Sequence, residues 1–444
     1  MVDSNAPHDR QAIDLVIDEK NSGAAGAAPA SIRPGIWNRN FLLLWQGQLV
    51  SALGDTVYAM ALGFWVLEVT GSTALMGALL ATSMLPRILV TPFAGVVVDR
   101  ASRKRLLISM DIMRGVAVTL VGLAALTHVL RIWMVFSAGV IIGLGGAFFS
   151  PCVSSVLPTI VLRDRLIQAN SAYGLIYTGS GLLGNSVGGF LFQLLGAPLL
   201  FLFNGLSYLV SSFTLVFIRV PDMPRPHKEQ RFFADMRDGL RLVWRMSGLR
   251  TLFITASVVN FFGVGGITLI LPLFQKTAGL GAGRYGIAMA CLTGGMFLGF
   301  LSASMIKFRP AVRFRVFMFC GLAFAVCFVA FALVGRFSAM LPFGFLAGVT
   351  NAILNSLIPA TVQTVVPPDM LGKASALLMT ISGGLTPLAM AAAGVLAGII
   401  PIRTLMASGF AVQIFCCLPL FLVRSFKRFI NFDPARDTVE SLMS

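Results

Sequence analysis

GVVVDRASRKR, Gly95 to Arg105, stands between two long apolar runs and sets how the whole chain is read. Four basic residues and one acid are compressed into a short polar stretch, while the flanking runs of about 25 residues are nearly free of charge. A run of that length spans the hydrocarbon of a bilayer as a helix. Outward from this stretch the pattern repeats: apolar spans alternate with short loops, twelve spans in all, among them 168–194, 197–218, 373–398 and 402–423. The 444 residues are 57% apolar and 12% charged, with a mean hydropathy of +0.85. A soluble globular enzyme is excluded, because such a chain exposes too little polar surface to face water.

The net charge of +16 comes from 34 Lys and Arg against 18 Asp and Glu. Its placement excludes a nucleic-acid groove, because nearly all of the excess sits in loops. With both termini in the cytoplasm, 27 basic residues are cytoplasmic, five lie outside (Arg131, Lys276, Arg284, Arg336, Arg403) and two lie within spans (Arg87, Arg114). The six cysteines lie in apolar stretches without metal-ligand spacing, and the three histidines are scattered, so no metal, cofactor or catalytic triad is expected.

Residues 1–35 are polar and then Gly, Ala and Pro rich, and read as a disordered cytoplasmic tail. The remainder divides into a six-span half at 36–219, a cytoplasmic linker at 220–249, a second six-span half at 250–424 and a tail at 425–444. In the linker, Phe232, Phe233, Met236, Leu240, Val243 and Trp244 recur at helical spacing beside the row Arg237, Arg241, Arg245, as in a helix lying at the headgroups. The halves match at an offset of 205 residues, including Gly143 with Gly348 and Gly189 with Gly394. Such a parallel repeat is the plan of secondary transporters, whose substrate site lies between the halves.

The Gly95–Arg105 stretch resembles the signature loop of the major facilitator superfamily, with Ser102 where glycine is usual. NRNFLLLWQGQLVSALGD (Asn38–Asp55), LLISMDIMRG (Leu106–Gly115) and the segment Phe148–Tyr173 are similar to the drug:proton antiporter branch that holds macrolide efflux proteins and enterobactin-type siderophore exporters. That resemblance implies an all-α fold of twelve transmembrane helices in two six-helix halves, in the bacterial inner membrane. It implies proton-driven export of a bulky amphiphile, drug or siderophore-like, by a monomer that is not an enzyme. A facilitator or importer, or a transport-inactive receptor or assembly factor, is the alternative. GNSVGG (Gly184–Gly189) resembles the antiporter motif, with Asn185 in place of its proline, and its Gly184, Gly188 and Gly189 permit close helix packing.

Ionisable groups within spans are costly and tend to be functional. Asp55 lies about 21 Å into the first span and Arg87 about 17 Å from the inner end of the second, at 1.5 Å per residue. Their similar depth makes them the candidate proton-coupling pair, since desolvation opposes ionisation of a carboxylate and a nearby arginine favours it. Gly95, Asp99, Arg100 and Arg103 are the expected charge latch at the cytoplasmic mouth, supported by Asp111 and Arg114, three residues apart on one face of the third span. Gln46, Tyr58, Asn260, Phe261, Asn351 and Asn355 are expected to line the substrate cavity. Met246 to Pro368 holds no Asp or Glu, so spans seven to ten offer no acid to titrate.

Overall fold

The computed structural model describes residues 37–162, 165–220, 243–306, 309–366 and 383–433, together with Arg237, Leu240, Arg241, Leu377 and Asp437. In chain order the helices are α1 (Arg39–Thr70), α2 (Thr73–Arg100), α3 (Arg103–Leu126), α4 (Ile132–Ile160), α5 (Leu166–Val216), α6 (Ser247–Thr268), α7 (Ile270–Lys276), α8 (Gly281–Met305), α9 (Pro310–Leu333), α10 (Phe337–Val365), α11 (Thr386–Leu396), α12 (Ile402–Cys417) and α13 (Arg424–Ile430). Polar caps and glycines set their ends. Asn38 accepts from the Phe41 amide and donates to the Ile160 carbonyl at 2.7 Å, tying the start of α1 to the end of α4. Gly71, at φ 64°, closes α1 in the left-handed conformation that glycine alone adopts without strain.

Ten helices among the described residues are long and apolar enough to cross a membrane, where twelve spans were expected. Two features of the described residues bear on that count. The expected spans at 168–194 and 197–218 run together in α5, whose 51 residues would reach about 77 Å if straight, against about 30 Å of hydrocarbon. Helical geometry breaks at Gly196 (φ 72°), two residues before Pro198. The arms on either side fold back on each other: Ala172 and Ser211 both meet the start of α1, at Trp45 and Gly47, whereas Gly184 and Asn204 both meet its middle, at Thr56 and Gly54. Of the span expected at 373–398, the described part is chiefly α11, which is 11 residues long.

One end of the bundle carries Asn38, Arg103, Arg219 and Ser247 and is here called proximal; the other, distal, carries Gly71, Arg131, Gly196 and Lys276. Three apolar cores show how the halves meet. Near the proximal end, one core draws only on residues 41–220 and another only on 243–432. The distal core is shared, joining Phe64, Phe192 and Phe201 to Phe274, Tyr285, Phe328 and Phe410. Among the described residues the halves are therefore sealed at the distal end and have separate cores at the proximal end.

Glycines make the seal possible. A Cβ on Gly394 of α11 would lie 2.5 Å from the Thr73 carbonyl oxygen of α2, and one on Gly77 would lie 2.5 Å from the Met390 carbonyl oxygen. At the matching interface a Cβ on Gly189 of α5 would collide with the Ala282 carbonyl oxygen of α8. Both crossings depend on backbones meeting without side chains between them.

The segment read as a tail from 425 begins within a short helix. α13 buries Phe426, Phe429 and Ile430 beneath the proximal end of the C-terminal half, where Gly248 meets Phe429. Of the expected linker helix, Phe232, Phe233 and Met236 lie outside the described residues. Arg237, Leu240, Arg241 and Val243–Arg245 are helical, with Val243 buried in the proximal core of the C-terminal half and Trp244 exposed beneath the Arg250 guanidinium, 5.7 Å away.

Candidate functional site

The second arm of α5 carries a polar row through an apolar span: Asn204, Ser207, Tyr208 and Ser211, at helical spacing and all buried. A hydroxyl or amide in that setting needs a partner, and these residues meet the acids of two other helices. The Tyr208 hydroxyl and the Asn204 amide both donate to Asp55 of α1, the amide at 3.4 Å. The Ser211 hydroxyl donates to Asp111 of α3 at 2.8 Å. Asp111 is in turn ion-paired to Arg114, and both are buried. The Arg114 guanidinium lies over the Tyr208 ring at 4.4 Å and the Phe149 ring at 4.8 Å, so aromatic faces as well as a carboxylate compensate its charge. Gln48 continues the network, its amide 3.5 Å from Ser211 Oγ and its carbonyl accepting from the Tyr173 hydroxyl at 3.3 Å.

The result is a compact cluster of two carboxylates and one guanidinium in the interior of the N-terminal half. Asp111 is fully enclosed, whereas Asp55 is only half-buried. Asp55 also has a telling position along α1. The residues packed into the proximal core end near Trp45, and the distal core begins at Val57, so Asp55 stands immediately beneath the seal.

The expected residues fall differently. Asp55 takes its hydrogen bonds from Tyr208 and Asn204, while Arg87 is an exposed side chain whose Cδ passes 3.6 Å from the place of a Cβ on Gly146 of α4. Among the described residues the two are not brought into an ion pair, because the polar face of α1 turns to α5. Asp111 and Arg114 pair as their spacing suggests, yet their neighbours are Ser211 and Tyr208 of α5. Gly95, Asp99 and Arg100 have helical backbone at the end of α2, and their side-chain geometry lies outside the described residues. Arg103 opens α3 and reaches the Ser155 carbonyl of α4 at 3.4 Å.

Of the expected cavity residues, Tyr58 is enclosed in the distal core, its ring 5.2 Å from Phe201 and its hydroxyl without a hydrogen-bond partner among the described residues. Gln46 is exposed, and Asn355 donates to the Asn351 side chain at 2.9 Å along α10. Asn260 and Phe261 lie on α6, with Phe261 packed edge-on against Phe262 at 5.4 Å and facing a crevice towards α11 and α12. Gly184 and Gly188 take Thr56 and Met60 of α1 against their bare backbones, while Gly189 faces α8 across the seal. Asn204, Tyr208, Ser211 and Gln48 were missed as site residues. The signal for three of them was present in FNGLSYLVSS (Phe203–Ser212), where polar residues fall on one helical face. Among the described residues no group of His, Cys, Asp and Glu has the arrangement of a metal site.

Residues 44–390 match the family model described as Major Facilitator Superfamily. Macrolide efflux protein A of Streptococcus pyogenes is 24% identical over 371 residues, covering 80% of this chain and 87% of that protein. Multidrug efflux pump Tap of Mycobacterium bovis is 26% identical over 285 residues, covering 62% and 67% of the respective chains. Among solved structures, a bacterial homologue of the iron transporter ferroportin in an inward-facing state superposes with a TM-score of 0.67 at 16% identity, covering 86% of this chain and 98% of that one.

Proposed function

The chain belongs to the Major Facilitator Superfamily, and on that premise we propose that it exports an amphiphilic small molecule from the bacterial cytoplasm in exchange for protons. The observation that carries this reading is the position of Asp55: a half-buried acid immediately beneath a seal that, among the described residues, joins the halves at the distal end. Twelve spans in two halves, with α5 supplying two of them and α11 completing another, give the halves freedom to rock about a central site. The positive-inside bias makes the proximal end cytoplasmic, so this arrangement is open towards the cytoplasm. It is the state in which substrate enters and a proton leaves.

The cluster supports the coupling step by its charge count. Asp111 and Arg114 neutralise each other, which leaves Asp55 as the group whose proton decides whether the cluster is neutral or carries one negative charge. A net charge within low-dielectric packing costs several kcal/mol, enough to bias one arrangement of the halves over the other. The relatives named for macrolide and multidrug efflux support a substrate of that amphiphilic class, and a siderophore-like metabolite fits the same description. The test uses inside-out vesicles whose lumen is acidified, offered a panel of labelled amphiphiles that includes a macrolide. At least one is expected to accumulate and to be released by a protonophore. Absence of protonophore-sensitive accumulation across the panel would contradict export by antiport.

A further inference from the structure

The proposed cycle makes no use of a cavity of about 520 Å³ at the distal ends of the helices. Its walls come from both halves: Trp65 and Glu68 of α1, Phe192 and Gln193 of α5, Gln275 of α7 and Ala282 of α8. The distal core forms its floor, with Phe64 stacked on Phe192 at 5.0 Å and edge-on to Tyr285 at 5.3 Å. The cavity is thus separated from Asp55 by the seal. Its chemistry is also different from that of the buried cluster. Glu68 supplies a carboxylate that is hydrogen-bonded across the halves to Gln275 and, among the described residues, takes part in no ion pair. Among the described residues no lysine or arginine lines the space. Arg284, near its rim, is bonded to the Gly279 carbonyl and lies over the Phe337 ring at 5.4 Å. Lys276 follows Gln275 in sequence but is exposed and outside the lining.

We propose that this cavity binds an organic ammonium ion, with its charge against Glu68, its apolar part between Trp65 and Phe192, and the Gln193 and Gln275 amides at its polar edge. An aromatic face beside a carboxylate is a setting in which a weakly hydrated cation is preferred to a strongly hydrated one. A bound amine would replace Gln275 as the partner of Glu68 while touching both halves. Because the walls are contributed by both halves, the site exists only while the distal seal is closed, and occupancy favours that arrangement.

The experiment measures equilibrium binding of tritiated phenyltrimethylammonium to the purified full-length protein in nanodiscs, where both faces are accessible. Saturable binding is expected, with no competition from tert-butylbenzene, the uncharged carbon isostere. Glu68→Gln is expected to weaken binding at least about tenfold, about 1.4 kcal/mol, and Glu68→Asp to retain most of it. Gln413→Leu, a change in the C-terminal half remote from the cavity, is expected to leave this binding unchanged. Equal affinity in wild type and Glu68→Gln would overturn the proposal, as would absence of saturable binding in the wild type.

Discussion

The contact of α3 with the second arm of α5 and that of α9 with α12 have opposite chemistry. In the N-terminal half, Arg114 of α3 lies over the Tyr208 ring of α5 at 4.4 Å, with Asp111, Asp55 and Ser211 gathered around them. In the C-terminal half, Phe328 of α9 stacks on Phe410 of α12, also at 4.4 Å, with Phe324 edge-on to both. Gln413 is the buried polar side chain on α12, donating to the Val259 carbonyl at 3.0 Å. One contact is thus made with ions and the other with rings. Charge is expensive to hold in such packing, so a half that holds three ionisable groups has a use for them. The contact of α9 with α12 is held by ring packing instead.

The largest expected effect follows from this contrast. Arg114→Leu leaves Asp111 buried without its counter-ion and should cost about 3–5 kcal/mol, seen as a lower thermal unfolding midpoint in detergent. Phe328→Leu keeps the C-terminal contact apolar and should cost about 1.5 kcal/mol or less. Adding Asp111→Asn to Arg114→Leu should recover much of the loss, because the stranded charge is removed. Comparable destabilisation by Arg114→Leu and Phe328→Leu would break the proposed asymmetry.

The next effect probes what the halves share. Gly189→Val and Gly394→Val each place side-chain atoms against a carbonyl of the opposite half, an overpacking worth about 1–3 kcal/mol. Both should shift the population towards a distally open form, read as a longer distance between spin labels at Arg131 and Arg336. A shift in one variant and none in the other would show that the two crossings are not equivalent. The smallest effect is expected from Gln413→Leu, which removes one hydrogen bond to a helix carbonyl and should cost about 1 kcal/mol while leaving transport intact. Loss of coupling in that variant would give the C-terminal half a chemical role.

Direction around a helix was not readable from the sequence. Counting residues from the ends of the spans put Asp55 and Arg87 at one level, and nothing in the chain said that the acid faces α5 while the arginine lies on an exposed face of α2. Azimuth depends on how helices cross, and the crossings here are set by bare glycine backbones at Gly47, Gly54 and Gly184, whose partners lie far along the chain. The matched Gly189 and Gly394 were visible at a fixed offset, and both prove to be contacts between halves. Asp111 and Arg114 were readable as a pair because their contact is local. Tyr208 and Ser211 escaped notice because hydroxyls in an apolar span carry little weight until an acid on another helix is seen to need them.

The most direct test of the account is proton movement during transport by Asp55→Asn. In proteoliposomes holding a substrate identified in the vesicle assay, wild type should couple substrate exit to proton entry, followed by a pH-sensitive dye. Asp55→Asn should lose gradient-driven transport and its proton signal while retaining substrate counterflow, since the variant loses the titrating group and keeps the path between the halves. Gradient-driven transport in Asp55→Asn at the wild-type rate, with the proton signal intact, would contradict the assignment of coupling to the acid beneath the seal.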